Sequence, residues 1–313
     1  MTQKIIIDTD PGQDDAVAIL TALASPAELD VLAIVTVAGN VRLAQNSPNA
    51  LKIVELSGRT EVPVYAGCER PLRRQLVTAE HVHGDTGLNG PQLPEPRIAL
   101  QAAHGVDFLV EALLSHEPGT ITLCTLGPLT NVAMAMIKAP AIIPHIRQIV
   151  MMGGGYFEGG NITPVAEFNI YVDPEAADVV LRSGVPIVMA PLDLTHGMQT
   201  TPARLAALRG LGNRTGAAVA AMLGFSEEFD RRKYGWEGAP LHDPCVIAWL
   251  LRPELFEGRD INVSVETTSE LTMGMTVADY WRVTDRPPNC HFLRSGDADG
   301  FYALLNERLA RLP

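Results

Sequence analysis

Short apolar runs alternate with helical patterns along most of this chain, and few architectures accommodate that alternation. Residues 4–7 read as a strand and 16–24 as the helix after it; 29–37 and 46–56 repeat the pair. Residues 106–116 follow as helix, 121–125 as strand, 131–139 as helix and 146–152 as strand. The segment 174–182 has a clear helix start, with Asp173 at the cap and Pro174 in the first turn, and 186–190 is another buried strand. Strands joined in turn by helices predict an α/β fold with an open, doubly wound, mainly parallel sheet and a Rossmann-like core.

Beyond Thr201 the pattern turns mostly helical, over 202–209, 215–232, 243–251 and a closing amphipathic stretch at 298–311. Segments 261–266 and 273–284 read as strands of a peripheral antiparallel piece, and the region of Cys290 as ordinary strand. There is no repeat, low-complexity tract or linker, so residues 1–313 are expected to form one domain. Hydrophobic residues make up 47% of the chain and aromatic residues only 5%, so its core must be built mainly from Ala, Val, Ile and Leu.

The net charge of −12 argues against a nucleic-acid partner, which would need a basic surface. The cysteines at 68, 124, 245 and 290 are scattered, with no zinc spacing and no disulfide framework. Because the first residues lack a signal-peptide core and no apolar run is long enough to span a bilayer, a cytoplasmic location away from membranes is expected.

The segment Asp8-Thr9-Asp10-Pro11-Gly12-Gln13-Asp14-Asp15 joins the first strand to the first helix. It lies where open α/β sheets bind ligands, beyond the carboxyl end of a strand. Its four aspartates repel one another unless a cation or helix dipole compensates, and the Pro-Gly turn can fold Asp10 back towards Asp14 and Asp15. Oxygen ligands alone favour Ca²⁺ or Mg²⁺. The plainer reading is that Asp14 or Asp15 caps the helix, but a cap uses one carboxylate and leaves the others unexplained. A phosphotransferase with Asp8 as nucleophile and Asp10 as acid/base is the competing reading; it gives Asp14 and Asp15 no task.

Other loops carry polar groups to the same rim. Asn161, Glu167 and Asn169 follow the strand at 146–152 and suit a polyhydroxylated ligand. Gly153-Gly154-Gly155 lacks the spacing of a dinucleotide loop and instead suits close approach to the backbone. Leu126 opens a strand-to-helix turn whose carbonyl can face a cation. His242-Asp243-Pro244 reads as a helix cap or as a metal ligand beside a proton-handling histidine, since histidine ordinarily titrates near neutrality. His83, on a glycine-rich stretch, is a second candidate, whereas the other histidines have no comparable context.

Asp8-Thr9-Asp10-Pro11-Gly12-Gln13-Asp14-Asp15-Ala16 resembles the N-terminal signature of the inosine/uridine-preferring nucleoside hydrolases. The blocks Val82-His83-Gly84, Gly127-Pro128-Leu129-Thr130-Asn131, Met152-Gly153-Gly154, Ala166-Glu167-Phe168-Asn169 and Leu241-His242-Asp243 resemble that family's other blocks in the same order. Gly238 to Cys245, Gly274 to Val277 and Asn169 to Glu175 look most like its bacterial pyrimidine-specific ribonucleoside members. The resemblance implies Ca²⁺-dependent hydrolysis of ribonucleosides to ribose and free base, in nucleoside salvage or catabolism, by a homo-oligomer (tetramer or dimer). It implies that Asp10, Asp15, Asp243 and the Leu126 carbonyl bind Ca²⁺, and that Asp10 acts as general base on a water the ion activates. Asp14, Asn40, Asn161, Glu167 and Asn169 would hold the sugar hydroxyls, Met152 and Phe168 would line the ribose pocket, and His83 and His242 would lie near the base. Phe225, Glu228 and Phe229 depart from the hydroxyl or amide side chains expected on the helix facing a pyrimidine. A non-catalytic nucleoside-binding module is the remaining alternative, which the pairing of Asp10 with His242 disfavours.

Overall fold

A computed structural model describes residues 2–313, including every side chain in that span except those of 226–232 and 234. Its strands are β1 (Gln3–Thr9), β2 (Leu29–Thr36), β3 (Val64–Ala66), β4 (Ile121–Thr125), β5 (Ile146–Met152), β6 (Ile187–Ala190), β7 (Gln199–Thr200), β8 (Ala239–Pro240), β9 (Phe256–Ile261), β10 (Val263–Val265), β11 (Thr276–Ala278) and β12 (Cys290–Gly296). Eight form one open sheet in the order β3-β2-β1-β4-β5-β6-β12-β9. Every pairing in it is parallel except that of β12 with the edge strand β9.

The inner strands are apolar on both faces because helices cover both. On β1, Ile5 and Ile7 pack into one core and Ile6 into the other; on β5, Val150 and Met152 divide from Ile149 and Met151 in the same way. The first core includes residues of helices Gln13–Leu23, Leu43–Ser57, Arg214–Tyr234, Pro244–Leu251 and Ala298–Leu309. The second includes residues of Gly105–Ser115, Thr130–Lys138 and Pro174–Leu181. The doubly wound sheet expected from the alternation is therefore present.

From β1 the chain winds outward through β2 to β3, then returns to lay β4 on the other side of β1. The crevice between the carboxyl ends of β1 and β4 is thus the switch point where such sheets bind ligands. The peripheral antiparallel piece is the pair β10–β11. The segment 261–266 is not one strand: Ile261 ends β9 in the main sheet and 263–265 forms β10, while the strand read over 273–284 is confined to Thr276–Ala278. Among the described residues, no helix is long and apolar enough to cross a membrane.

Candidate active site

The loop after β1 turns at Pro11-Gly12 and opens the helix Gln13–Leu23, which brings its carboxylates together at the switch point. Asp15 sits at the third helical position and accepts from the Gly12 backbone N–H at 2.9 Å, from the Thr9 hydroxyl, and from Asn40 Nδ2 at 3.3 Å. The capping reading is thus correct for Asp15, and for Asp15 alone. Oδ2 of Asp10 accepts from the Asn40 N–H at 2.7 Å, while its buried Oδ1 meets no partner among the described residues. Asn40 Nδ2 also donates to the Asp10 carbonyl at 3.1 Å, so Asn40 braces two aspartates as well as lining the cleft.

Asp243 joins this group from the far end of the chain. It stands before Pro244 at the cap position of the helix Pro244–Leu251, yet its side chain makes no cap hydrogen bond. The carboxylate instead lies with those of Asp14 and Asp15, and one oxygen from each falls within 4.8 Å of the others. No Lys or Arg among the described residues pairs with Asp10, Asp14, Asp15 or Asp243. Burial therefore pushes Asp10 and Asp243 well above the usual carboxylate range, and repulsion from neighbouring aspartates adds to it; Asp15 is raised by burial and by Asp14. Oxygens gathered with no paired Lys or Arg among the described residues fit a hard divalent cation, which would supply positive charge there.

Asp8 takes no part in the cleft. It is buried, accepts from Asn131 Nδ2 at 2.8 Å, and is pushed up to about 7 by burial. Its carboxylate is held by Asn131 rather than standing with Asp14, Asp15 and Asp243, so the phosphotransferase reading has no nucleophile in the cluster.

Across the crevice, Glu167 caps the short helix Phe168–Val172 and accepts three backbone N–H groups, from Gly154 and Asn169 at 2.9 Å each and from Ile170 at 3.2 Å. Burial pushes it up to about 7 while those donors pull the other way. Gly154 has φ +79°, a conformation that glycine adopts without strain and that presents its N–H to Glu167. Asn169 Nδ2 donates to the Leu126 carbonyl at 2.7 Å and the Met152 carbonyl at 3.3 Å, and Asn161 Oδ1 accepts from the Phe168 N–H at 2.9 Å. Leu126, Met152, Asn161, Glu167, Phe168 and Asn169 all line one cleft with Asp14, Asn40, His83, His242 and Asp243.

His83 ends a short helix, Glu80–His83, rather than lying in an open loop. Its Nδ1 is 2.6 Å from Gln13 Oε1, and Gln13 Nε2 donates to the His83 carbonyl at 2.9 Å, so the helix that carries Asp14 and Asp15 also fixes His83. Burial lowers the His83 pKa against the attraction of Asp14 and Asp15. His242 Nδ1 lies 2.7 Å from the Thr195 hydroxyl, and burial pushes the imidazole down to about 3, so it does not titrate near neutrality as histidine ordinarily would.

The view that the remaining histidines lack context needs correction, because His81 and His196 also line the cleft. The His196 ring is edge-on to Trp236 with centroids 4.8 Å apart, lies 6.0 Å from that of His242, and has Nδ1 3.4 Å from Glu158. Both Thr195 and His196 follow β6, so the rule that ligands gather beyond strand ends would have found them. Phe225 is 40% exposed and does not line the cleft; the side chains of Glu228 and Phe229 lie outside the described residues.

Comparison with known proteins agrees with this geometry. The family model for inosine-uridine preferring nucleoside hydrolase matches residues 5–303. The pyrimidine-specific ribonucleoside hydrolase RihA of Photobacterium profundum is 47% identical over 311 residues, covering 99% of each chain. An uncharacterized protein of Schizosaccharomyces pombe is 54% identical over 310 residues, covering 99% of this chain and all of the other. Among solved structures, a plant nucleoside hydrolase superposes with a TM-score of 0.92 at 34% identity, covering 99% of both chains. A purine-preferring ribonucleoside hydrolase from Gardnerella vaginalis superposes at 0.90 with 31% identity over 98% of both. The chain belongs to the inosine-uridine preferring nucleoside hydrolase family and is a nucleoside N-ribohydrolase.

Proposed function

We propose that the chain hydrolyses pyrimidine ribonucleosides, uridine and cytidine, to ribose and the free base. The observation that carries the mechanism is the meeting of Asp14, Asp15 and Asp243, with Asp10 near enough to repel them and no Lys or Arg among the described residues paired with any of the four, at a cleft that Asp14, Asp243, His83 and His242 line. The pyrimidine preference is supported by the relative at 47% identity whose name carries it.

Asp10, Asp15 and Asp243, with the Leu126 carbonyl, would hold a calcium ion; when bound, it supplies the positive charge the cluster lacks and orients water and the ribose diol. Asp14, Asn40, Asn161, Glu167 and Asn169 grip the sugar hydroxyls, and Met152 and Phe168 form the apolar wall behind the ring. As the bond from C1′ to the base nitrogen breaks, its electron pair goes to the base and positive charge develops on the sugar. The aspartate cluster stabilises that charge electrostatically. Water adds through oxygen to C1′, Asp10 takes its proton, and the departing base acquires one from solvent. His242 and His83 hydrogen-bond to the base as it leaves.

Ribose release from uridine, cytidine, inosine and adenosine tests the reading. Turnover of uridine and cytidine well above that of the purine nucleosides is expected. Faster release from inosine than from uridine would overturn the assignment of substrate.

A further inference from the structure

We infer that Thr195 is a positioning residue that holds His242 in the tautomer with its proton on Nε2, so that an N–H donor faces the departing base. The inference rests on the reading that His242 contacts that base. Thr195 ends the short helix Leu192–Thr195 after β6, is fully buried and does not line the cleft, whereas His242 does. Its hydroxyl lies 2.7 Å from Nδ1 of His242, which places Nδ1 on the side of the ring turned away from the cleft and Nε2 on the side turned towards it.

The direction of this hydrogen bond follows from counting protons. A buried hydroxyl has one proton to place, and buried donors are almost always matched. Among the described residues the Thr195 hydroxyl has no other hydrogen-bond partner. If Nδ1 carried the ring proton, the hydroxyl would accept it and its own proton would be stranded in the interior. With the hydroxyl donating, every proton is matched: Nδ1 accepts and Nε2 carries the N–H.

An N–H at that position recognises a carbonyl oxygen. When the bond to C1′ breaks, the electron pair left on the pyrimidine ring nitrogen delocalises onto the adjacent carbonyl oxygen. A donor there strengthens its hydrogen bond as charge arrives, which favours the transition state over bound substrate. A leaving group that is stable as an anion gains little from such a donor.

The test compares uridine with p-nitrophenyl β-D-ribofuranoside, whose phenolate departs unaided, in wild type, Thr195→Val, Thr195→Ser and His242→Ala. Thr195→Val is expected to lower kcat on uridine by about 10- to 100-fold, with KM little moved and kcat on the p-nitrophenyl riboside within about 3-fold of wild type. Thr195→Ser, which keeps the hydroxyl, should restore uridine turnover. Equal losses of Thr195→Val on both substrates would mark general damage to the site and overturn the inference, as would no loss on uridine. If His242→Ala impairs uridine turnover and Thr195→Val does not, only the role of the hydroxyl falls. If His242→Ala leaves uridine turnover intact, the reading of His242 itself falls, and the inference with it.

Discussion

Gly127 is moulded around Asp10: a Cβ built on Gly127 would stand 2.3 Å from Oδ1 of Asp10, the buried oxygen without a partner among the described residues. Gly39 closes on the other oxygen, with a Cβ there 2.0 Å from Oδ2. Two backbone segments from separate strand ends thus hold one carboxylate at a fixed point. Gly127→Ala should displace Asp10, lowering kcat/KM by roughly 100-fold, the scale expected when a reacting group shifts by about 1 Å. The overpacking itself should cost only about 1–3 kcal/mol, so the variant should still fold. Activity within a few-fold of wild type would show that the position of Asp10 does not matter.

Removing the carboxylate of Asp10 separates its chemistry from its packing. Asp10→Ala should fold and lower kcat by about 10²–10⁴-fold, the usual contribution of a general base. Circular dichroism and thermal unfolding beside steady-state kinetics check both halves of this expectation.

The charge of the cluster, unpaired with any Lys or Arg among the described residues, makes the cation measurable without any assay of turnover. Calcium at about 100 times its Kd should raise stability by about 2.7 kcal/mol, read as a higher Tm, and a chelator should reverse the shift and abolish ribose release. Because Asp10, Asp15 and Asp243 are all raised above ordinary carboxylates, protons compete with the ion. The calcium-induced shift in Tm should therefore be larger at pH 8 than at pH 5.5. No shift at either pH would remove the metal from the mechanism.

Asp8 gives a second pH dependence, since burial raises its carboxyl to about 7 without any added repulsion from the cluster. Between about pH 4 and 7 it is protonated in the fold and ionised in the unfolded chain, so the unfolded state binds fewer protons and stability falls as pH rises through that window. Asp8→Asn carries no such charge. Urea unfolding with chelator present should show the variant gaining on wild type between pH 4.5 and pH 8, by roughly 2–4 kcal/mol. A constant difference would mean that Asp8 ionises in the fold as easily as in solution.

The sequence was legible where local pattern and function coincide. Alternating apolar runs located β1, β2, β4, β5 and β6 but not the edge strands β3 and β9, and a crowd of aspartates around Pro11-Gly12 located the site because nothing local could neutralise it. For Asp243 the residues alone left two readings open, a helix cap before Pro244 or a metal ligand, and the fold decides between them by turning its carboxylate to Asp14 and Asp15. Segment 261–266 misled because a single break at residue 262 moves the chain from the main sheet to the β10–β11 pair, and apolar alternation continues across it. Thr195 and His196 were hidden because neither belongs to a motif; they matter through partners 47 and 38 residues away, His242 and Glu158.

Glu167 ties the sugar side of the cleft to the backbone that shapes it. Its two oxygens accept from Gly154, Asn169 and Ile170, and Asn169 in turn donates to the Leu126 carbonyl. Glu167→Gln keeps the size but replaces one oxygen with a donor, which must face a backbone N–H it cannot accept. The lost cap and the stranded N–H should together cost about 1–3 kcal/mol in urea unfolding. Asn169 would shift with the cap, so kcat/KM for uridine should fall as well, and the loss should exceed that of Asn161→Ala, which removes one sugar contact and the bond from the Phe168 N–H but leaves the cap in place. Equal losses in the two variants would show that Glu167 acts as a sugar contact alone and does not organise the wall of the cleft.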